Sequence, residues 1–117
     1  MGIEKKDFKK ILDFLNLNGL RFNDIFLPKP IGIGQSNPTF LIQDNKLNLK
    51  VLRMQPPGDL VRGAHRVDRE FLVLKALREK NFIVPEPIIH CDDTSIIGRQ
   101  FYVMDIIDGD IFDDPFI

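Results

Sequence analysis

Tryptophan is missing from the 117 residues, tyrosine and cysteine occur once each, as Tyr102 and Cys91, and histidine only as His65 and His90. A lone cysteine has no partner for an internal disulfide. Two isolated histidines fit neither a metal-ligand spacing nor an acid–base pair, so both read as structural. An excess of one charge is also lacking. Sixteen basic against seventeen acidic residues give a formal net charge of −1, without the footprint that nucleic acid or an anionic membrane requires. No apolar run is long enough to span a bilayer and no leader-like segment opens the chain, so a cytoplasmic or organelle-matrix location is the expectation. Internal repeats and low-complexity stretches are absent.

What remains is an ordinary globular mixture. Hydrophobic residues at 44% and charged residues at 28% supply enough apolar surface for one core, and a chain this long buries roughly two thirds of the surface its unfolded form exposes. One small domain over residues 1–117 is expected. From Glu4 to Leu17, apolar positions at Phe8, Ile11, Leu12 and Leu15 recur at helical spacing among lysines and acids, which predicts an amphipathic helix ended by Asn18 and Gly19. A second amphipathic helix is predicted from about His65 to Lys80, its stripe formed by Val67, Phe71, Leu74 and Leu77. Glu70 falls inside that stripe. A carboxylate in an apolar seam needs a partner, because an unpaired buried charge costs several kcal/mol.

Between the helices, the stretch Ile31 to Arg53 reads as strand, glycine-bearing loop, strand, turn and strand. Gly32 and Gly34 leave the backbone open to close approach, and Gln35, Ser36 and Asn37 add amide and hydroxyl groups. Two spaced glycines alone fit a tight hairpin. No helix and no Gly-Lys-Ser/Thr follows them, so a dinucleotide fingerprint and a Walker loop are excluded, and a strand directly after the loop matches a hairpin flap lying over phosphates. Alternation in the returning strand puts Leu49, Val51 and Arg53 on one face and Asn48, Lys50 and Leu52 on the other. After the second helix, extended segments at about Val84 to His90 and Gln100 to Ile107 complete five strand candidates.

Five strands with one helix between the third and fourth is the order of the smaller lobe of a protein-kinase-like α+β fold, here preceded by the amphipathic helix. In that frame Arg53 and Glu70 take the positions of the cation and carboxylate that pair while the cation meets nucleotide phosphates. The wording is more specific. IGIGQSNPTF from Ile31, VLRMQPPGDL from Val51, AHRVDREFLVLKAL from Ala64 and IGRQFYVMDIIDGDIF from Ile97 together resemble the aminoglycoside phosphotransferase-like kinases, in particular the branch that includes the kinase domains of acyl-CoA dehydrogenase family members ten and eleven.

The resemblance covers about residues 20–117 and implies an N-terminal, nucleotide-binding lobe with a roughly five-stranded antiparallel sheet. It also implies a kinase that moves the γ-phosphate of ATP to a hydroxyl acceptor, a hydroxyacyl-CoA among the candidates. A non-catalytic pseudokinase or interaction module is the alternative. By position, Gly32, Gly34, Gln35, Ser36 and Asn37 would cover the phosphates, and Arg53, where the family usually has lysine, would touch them braced by Glu70. Met104 would border the adenine pocket, Asp105 would offer its carbonyl to the exocyclic amine, and Ile107 its amide to a ring nitrogen. The family's catalytic aspartate and magnesium ligands belong to a downstream His-Gly-Asp region, and no histidine follows His90. The expectation is therefore half of a site, with Mg2+ ligands and acceptor pocket in a second lobe, and no transfer by this segment alone. Ile106, Ile107, Ile111, Phe112, Phe116 and Ile117 would then form an apolar patch prone to self-association.

Overall fold

A computed structural model describes residues 3–32, 37–56 and 67–106. Seven elements follow in order: α1 (Lys5–Leu17), β1 (Lys29–Pro30), β2 (Thr39–Gln43), β3 (Leu49–Met54), α2 (Val67–Glu79), β4 (Pro87–Cys91) and β5 (Phe101–Met104). The strands form one antiparallel sheet in the order β1-β2-β3-β5-β4. The α+β class, the five strands and the helix between the third and fourth agree with the reading of the sequence.

Local chemistry sets the boundaries. Beyond α1, Asn18 bonds back to the Phe14 carbonyl through its side chain, and Gly19 takes φ of +87°, a left-handed conformation that glycine adopts without steric cost. The β2–β3 turn is organised by Asp44, whose Oδ1 accepts the backbone N–H groups of Lys46 and Asn48 at 2.9 Å each. Strand β1 is the pair Lys29–Pro30, just before Ile31, where the sequence reading starts it. Pro30 has no N–H to give, and two ladder residues at a sheet edge are what such a position tolerates. The opposite edge, β4, begins at Pro87 and carries a register irregularity between Pro87 and Ile89, which also discourages edge-to-edge pairing.

The sheet has a helix on each face. Phe8, Ile11, Leu12 and Leu15 of α1 pack with Phe40, Ile42, Leu52, Met54, Cys91, Phe101 and Val103, and the Phe14 ring meets Phe101 edge-on at 5.5 Å. On the other side Val67 and Leu74 of α2 join Val51, Tyr102 and Met104. Side chains alternate along each strand, so consecutive residues feed different cores: Val51 and Arg53 belong to the α2 side, Leu52 and Met54 to the α1 side. The N-terminal helix is thus a structural layer, closing the face of the sheet that α2 leaves open.

This arrangement separates two substitutions on one helix. Ile11→Ala, at a site with no exposure, should destabilise by about 2–5 kcal/mol, whereas Leu17→Ala, 86% exposed, should stay within about 0.5 kcal/mol of the parent. Urea unfolding of the two variants measures the difference, and equal effects would contradict the docking of α1.

Candidate functional site

Register places four side chains abreast across the α2 face. Thr39 on β2 pairs with Arg53 on β3, Arg53 with Tyr102 on β5, and Tyr102 with His90 on β4. Helix α2 lies over this row and lowers two consecutive residues onto it. Glu70 reaches Arg53 and Tyr102, while Phe71 stacks on His90 at 5.5 Å and meets Tyr102 edge-on at 5.7 Å. His90 bonds through Nε2 to Gln100 Oε1 at 2.9 Å, which together with the stack makes it part of the scaffold.

The expected ion pair is present. Arg53 Nε lies 2.7 Å from Glu70 Oε1, too far from the N–H axis for an aligned hydrogen bond but a close charge contact, and Nη2 donates to Oε2 at 3.5 Å. Both side chains are largely withdrawn from water, 3% exposed for Arg53 and 15% for Glu70. Nη1 of Arg53 donates to Thr39 Oγ1 at 3.2 Å, and the Thr39 hydroxyl donates to the Asn37 carbonyl at 3.0 Å. Glu70 receives two neutral donors besides the guanidinium: the Tyr102 hydroxyl on Oε1 at 3.0 Å and the Asn37 amide on Oε2 at 2.8 Å. The carboxylate thus meets a cation and a neutral donor on each oxygen, which offsets the cost of withdrawing it from water.

Of the residues singled out from the sequence, the structure brings Asn37, Arg53 and Glu70 into direct contact. Asn37 is only 1% exposed, with its amide nitrogen on Glu70 and its Oδ1 without a hydrogen-bond partner among the described residues. Gly32, exposed and with φ of +82°, adopts the backbone conformation that glycine alone takes easily. Gly34, Gln35, Ser36 and Ile107 lie outside the described residues, as do Ile111, Phe112, Phe116 and Ile117 of the expected apolar patch.

Met104 is buried on the α2 face, two residues beyond Tyr102. Asp105 is held from three directions. Its N–H donates to the Glu86 carbonyl at 2.8 Å, and its Oδ1 accepts both the Ile106 N–H at 2.9 Å and Lys50 Nζ at 3.2 Å. Lys50 accordingly points away from Arg53, as strand alternation requires, and serves the segment after β5. The carboxylates here are engaged, Glu70 by three donors and Asp105 by two. Among the described residues no three of His, Cys, Asp and Glu come together in a metal-binding group. Cys91, buried on the α1 face, has its thiol pushed up by burial and is a packing residue rather than a nucleophile.

Thr39 and Tyr102 were not singled out from sequence. Tyr102 is recoverable in part from parity, two residues before Met104 on one strand, but its place beside Arg53 depends on the β3–β5 register, which no local signal encodes.

An antiparallel five-stranded sheet with a helix carrying its carboxylate onto a strand cation defines the small lobe of a kinase-like phosphotransferase. Comparison with known proteins agrees: the model of the phosphotransferase enzyme family, APH, matches residues 28–116, and the chain belongs to that family. Acyl-CoA dehydrogenase family member 11 of Homo sapiens is 53% identical over 81 residues, 69% of this chain and 10% of that protein. Acyl-CoA dehydrogenase family member 10 of Mus musculus is 45% identical over 84 residues, 70% of this chain and 8% of that protein. The crystal structure of a putative aminoglycoside phosphotransferase from Ralstonia eutropha JMP134 aligns with a TM-score of 0.67 and 26% identity, over 92% of this chain and 30% of that one. The chain thus spans about a tenth of the length of these curated relatives.

The buried phenol gives the site a pH signature. Burial first, and then the Glu70 charge, push the Tyr102 hydroxyl far above its ordinary value of 10.0. The folded chain keeps this proton while the unfolded chain loses it above pH 10.0, so the contribution to stability is complete below that pH and declines as pH rises beyond it. With no tryptophan and one tyrosine, tyrosinate absorbance reports this group alone. An alkaline titration should show ionisation only together with unfolding, and Tyr102→Phe should flatten the alkaline loss of stability.

Proposed function

We propose that this chain is the nucleotide-binding lobe of an ATP-dependent small-molecule kinase whose second lobe carries the catalytic aspartate, the magnesium ligands and the acceptor pocket. The observation that carries the reading is the buried Arg53–Glu70 pair on the α2 face, in a chain of the phosphotransferase family. In this reading the loop from Gly32 through Gly34, Gln35 and Ser36 to Asn37 covers the phosphates, and Arg53 places positive charge beside them. Met104 borders the adenine, Asp105 turns its carbonyl to the exocyclic amine and Ile107 gives its amide to a ring nitrogen. Asp105 is suited to that task because its own N–H and carboxylate are occupied elsewhere, by Glu86, Ile106 and Lys50.

Phosphoryl transfer asks a protein for positioning and charge stabilisation more than for covalent chemistry, so a lobe that positions only the nucleotide performs half of the task. Magnesium, when bound by the second lobe, neutralises phosphate charge. The acceptor proposed is a hydroxyl group, and a hydroxyacyl-CoA is the first candidate, because the relatives named as acyl-CoA dehydrogenase family members would join such a kinase to enzymes of acyl thioesters.

A second reading has one observation in its favour. Arg53 is 2% exposed, with its guanidinium on Glu70 and Thr39, which suits a scaffold ion pair in a non-catalytic interaction module.

Isotope-edited NMR of the 117-residue chain titrated with ATP separates these readings. Weak binding is expected, with shifts at Gly32, Arg53, Met104 and Asp105, and an Arg53→Ala variant should lose it. Labelled phosphate should pass from ATP to a hydroxyacyl-CoA only with a longer protein that includes the second lobe. Turnover by the 117-residue chain that disappears in Arg53→Ala would overturn the half-site reading, and a longer protein without ATP binding would favour the interaction module.

A further inference from the structure

The Glu70 carboxylate has an asymmetric grip on Arg53, 2.7 Å on the Nε side and 3.5 Å on the Nη2 side, and each of its oxygens is also held by one neutral donor. Oε1 takes the Tyr102 hydroxyl, Oε2 the Asn37 amide. Turning the carboxylate about its last bond would break both at once. The two donors differ in footing. Asn37 lies outside any strand, two residues before β2, whereas Tyr102 has no exposure and stands on β5, between β3 and β4, with its ring edge-on to Phe71.

From this geometry we infer that Tyr102 is a positioning residue, a fixed post whose hydroxyl sets the orientation of Glu70 and, through it, of the Arg53 guanidinium toward the phosphates. The inference rests on the nucleotide reading above. Tyr102 also lies three residues before Asp105 on the same continuous stretch. One strand therefore sets both the cation for the phosphate end and the carbonyl offered to adenine, and the distance between the two ends of the nucleotide site becomes a property of β5. The Asn37 contact supplies the loop's share: the chain that would cover the phosphates is tied to the same carboxylate. Burial and the adjacent carboxylate both raise the phenol's pKa, so it remains a donor throughout the pH range in which the fold exists.

Tyr102→Phe keeps the ring and removes the donor. Three readouts distinguish positioning from plain packing. The Arg53 Nε–H signal should exchange with solvent at least severalfold faster in the variant, a measurement that needs no nucleotide. Affinity for ATP should fall roughly three- to tenfold, the size of one ordinary hydrogen bond, while affinity for adenosine stays as in the parent. In a Glu70→Gln background the same change should have little further effect, because residues acting through one another are non-additive. Should Tyr102→Phe fail to fold, 3-fluorotyrosine at the chain's one tyrosine changes the strength of the donor and keeps the ring, and the Arg53 Nε–H exchange rate should change with it. Equal losses for ATP and adenosine, additivity with Glu70→Gln, or unchanged Arg53 exchange would overturn the inference. A parent chain that binds neither ligand would instead overturn the nucleotide reading, and the positioning role with it, whatever the exchange rates show.

Discussion

A guanidinium buried in the middle of a sheet is the constraint that the rest of the structure has to satisfy. Arg53 sits on the third of five strands, 2% exposed, and Glu70 descends from α2 to meet its charge. That requirement places the helix as firmly as its apolar contacts do, since the described part of α2 buries completely only Val67 and Leu74. Phe71 and Leu77, the other members of its stripe, are partly buried. The helix is therefore held by a polar anchor flanked by two apolar ones. Removing one partner of such a pair costs about 3–5 kcal/mol, more than a typical surface ion pair contributes, because the remaining charge is left without compensation.

Helix α1 covers the opposite face with Phe8, Ile11, Leu12 and Leu15, packed on the apolar residues of the strands. The sheet thus divides its labour by strand parity. One set of alternate residues makes an ordinary core with α1, and the other set carries the row Thr39, Arg53, Tyr102 and His90 beneath α2. A rigid backing on one side is what allows a polar row on the other to be held in register, since hydrogen bonds to a buried carboxylate lose their value if the strands that carry the donors slide.

The legible parts of this arrangement are those governed by short periods. Helical spacing located α1 and placed Glu70 inside the α2 stripe, and strand alternation put Arg53 and Lys50 on different faces. The motif wording around Ile31, Val51, Ala64 and Ile97 pointed to the phosphotransferase family, to which the chain belongs. Cross-strand register was not legible. Nothing near Tyr102 in sequence announces that it stands beside Arg53, and nothing near Asp105 announces Lys50 as its partner, because those pairings are set by how β3 and β5 slide against each other. Asn37 shows the same limit differently: a polar residue in a glycine-bearing loop reads as a ligand contact, yet here its amide nitrogen turns inward to Glu70.

The guanidinium at position 53 makes contacts that a lysine there could not. A lysine ammonium offers three donors at one point, whereas a guanidinium spreads five over a planar fork. At this position the fork spans Glu70 on one side and Thr39 on the other, and Thr39 in turn is tied to the Asn37 carbonyl. An ammonium centred on Glu70 would not bridge to the threonine in the same way, and the link between β3 and the end of the glycine-bearing loop would pass through Glu70 alone. The arginine therefore closes a ring of contacts from Asn37 through Glu70, Arg53 and Thr39 back to Asn37, so the loop end and the helix are fixed to the same cation. Arg53→Lys would keep the charge and open the ring. On this argument it should weaken the coupling of the loop to α2 more than it weakens the ion pair, a loss visible as faster amide exchange at Asn37 with little change at Glu70.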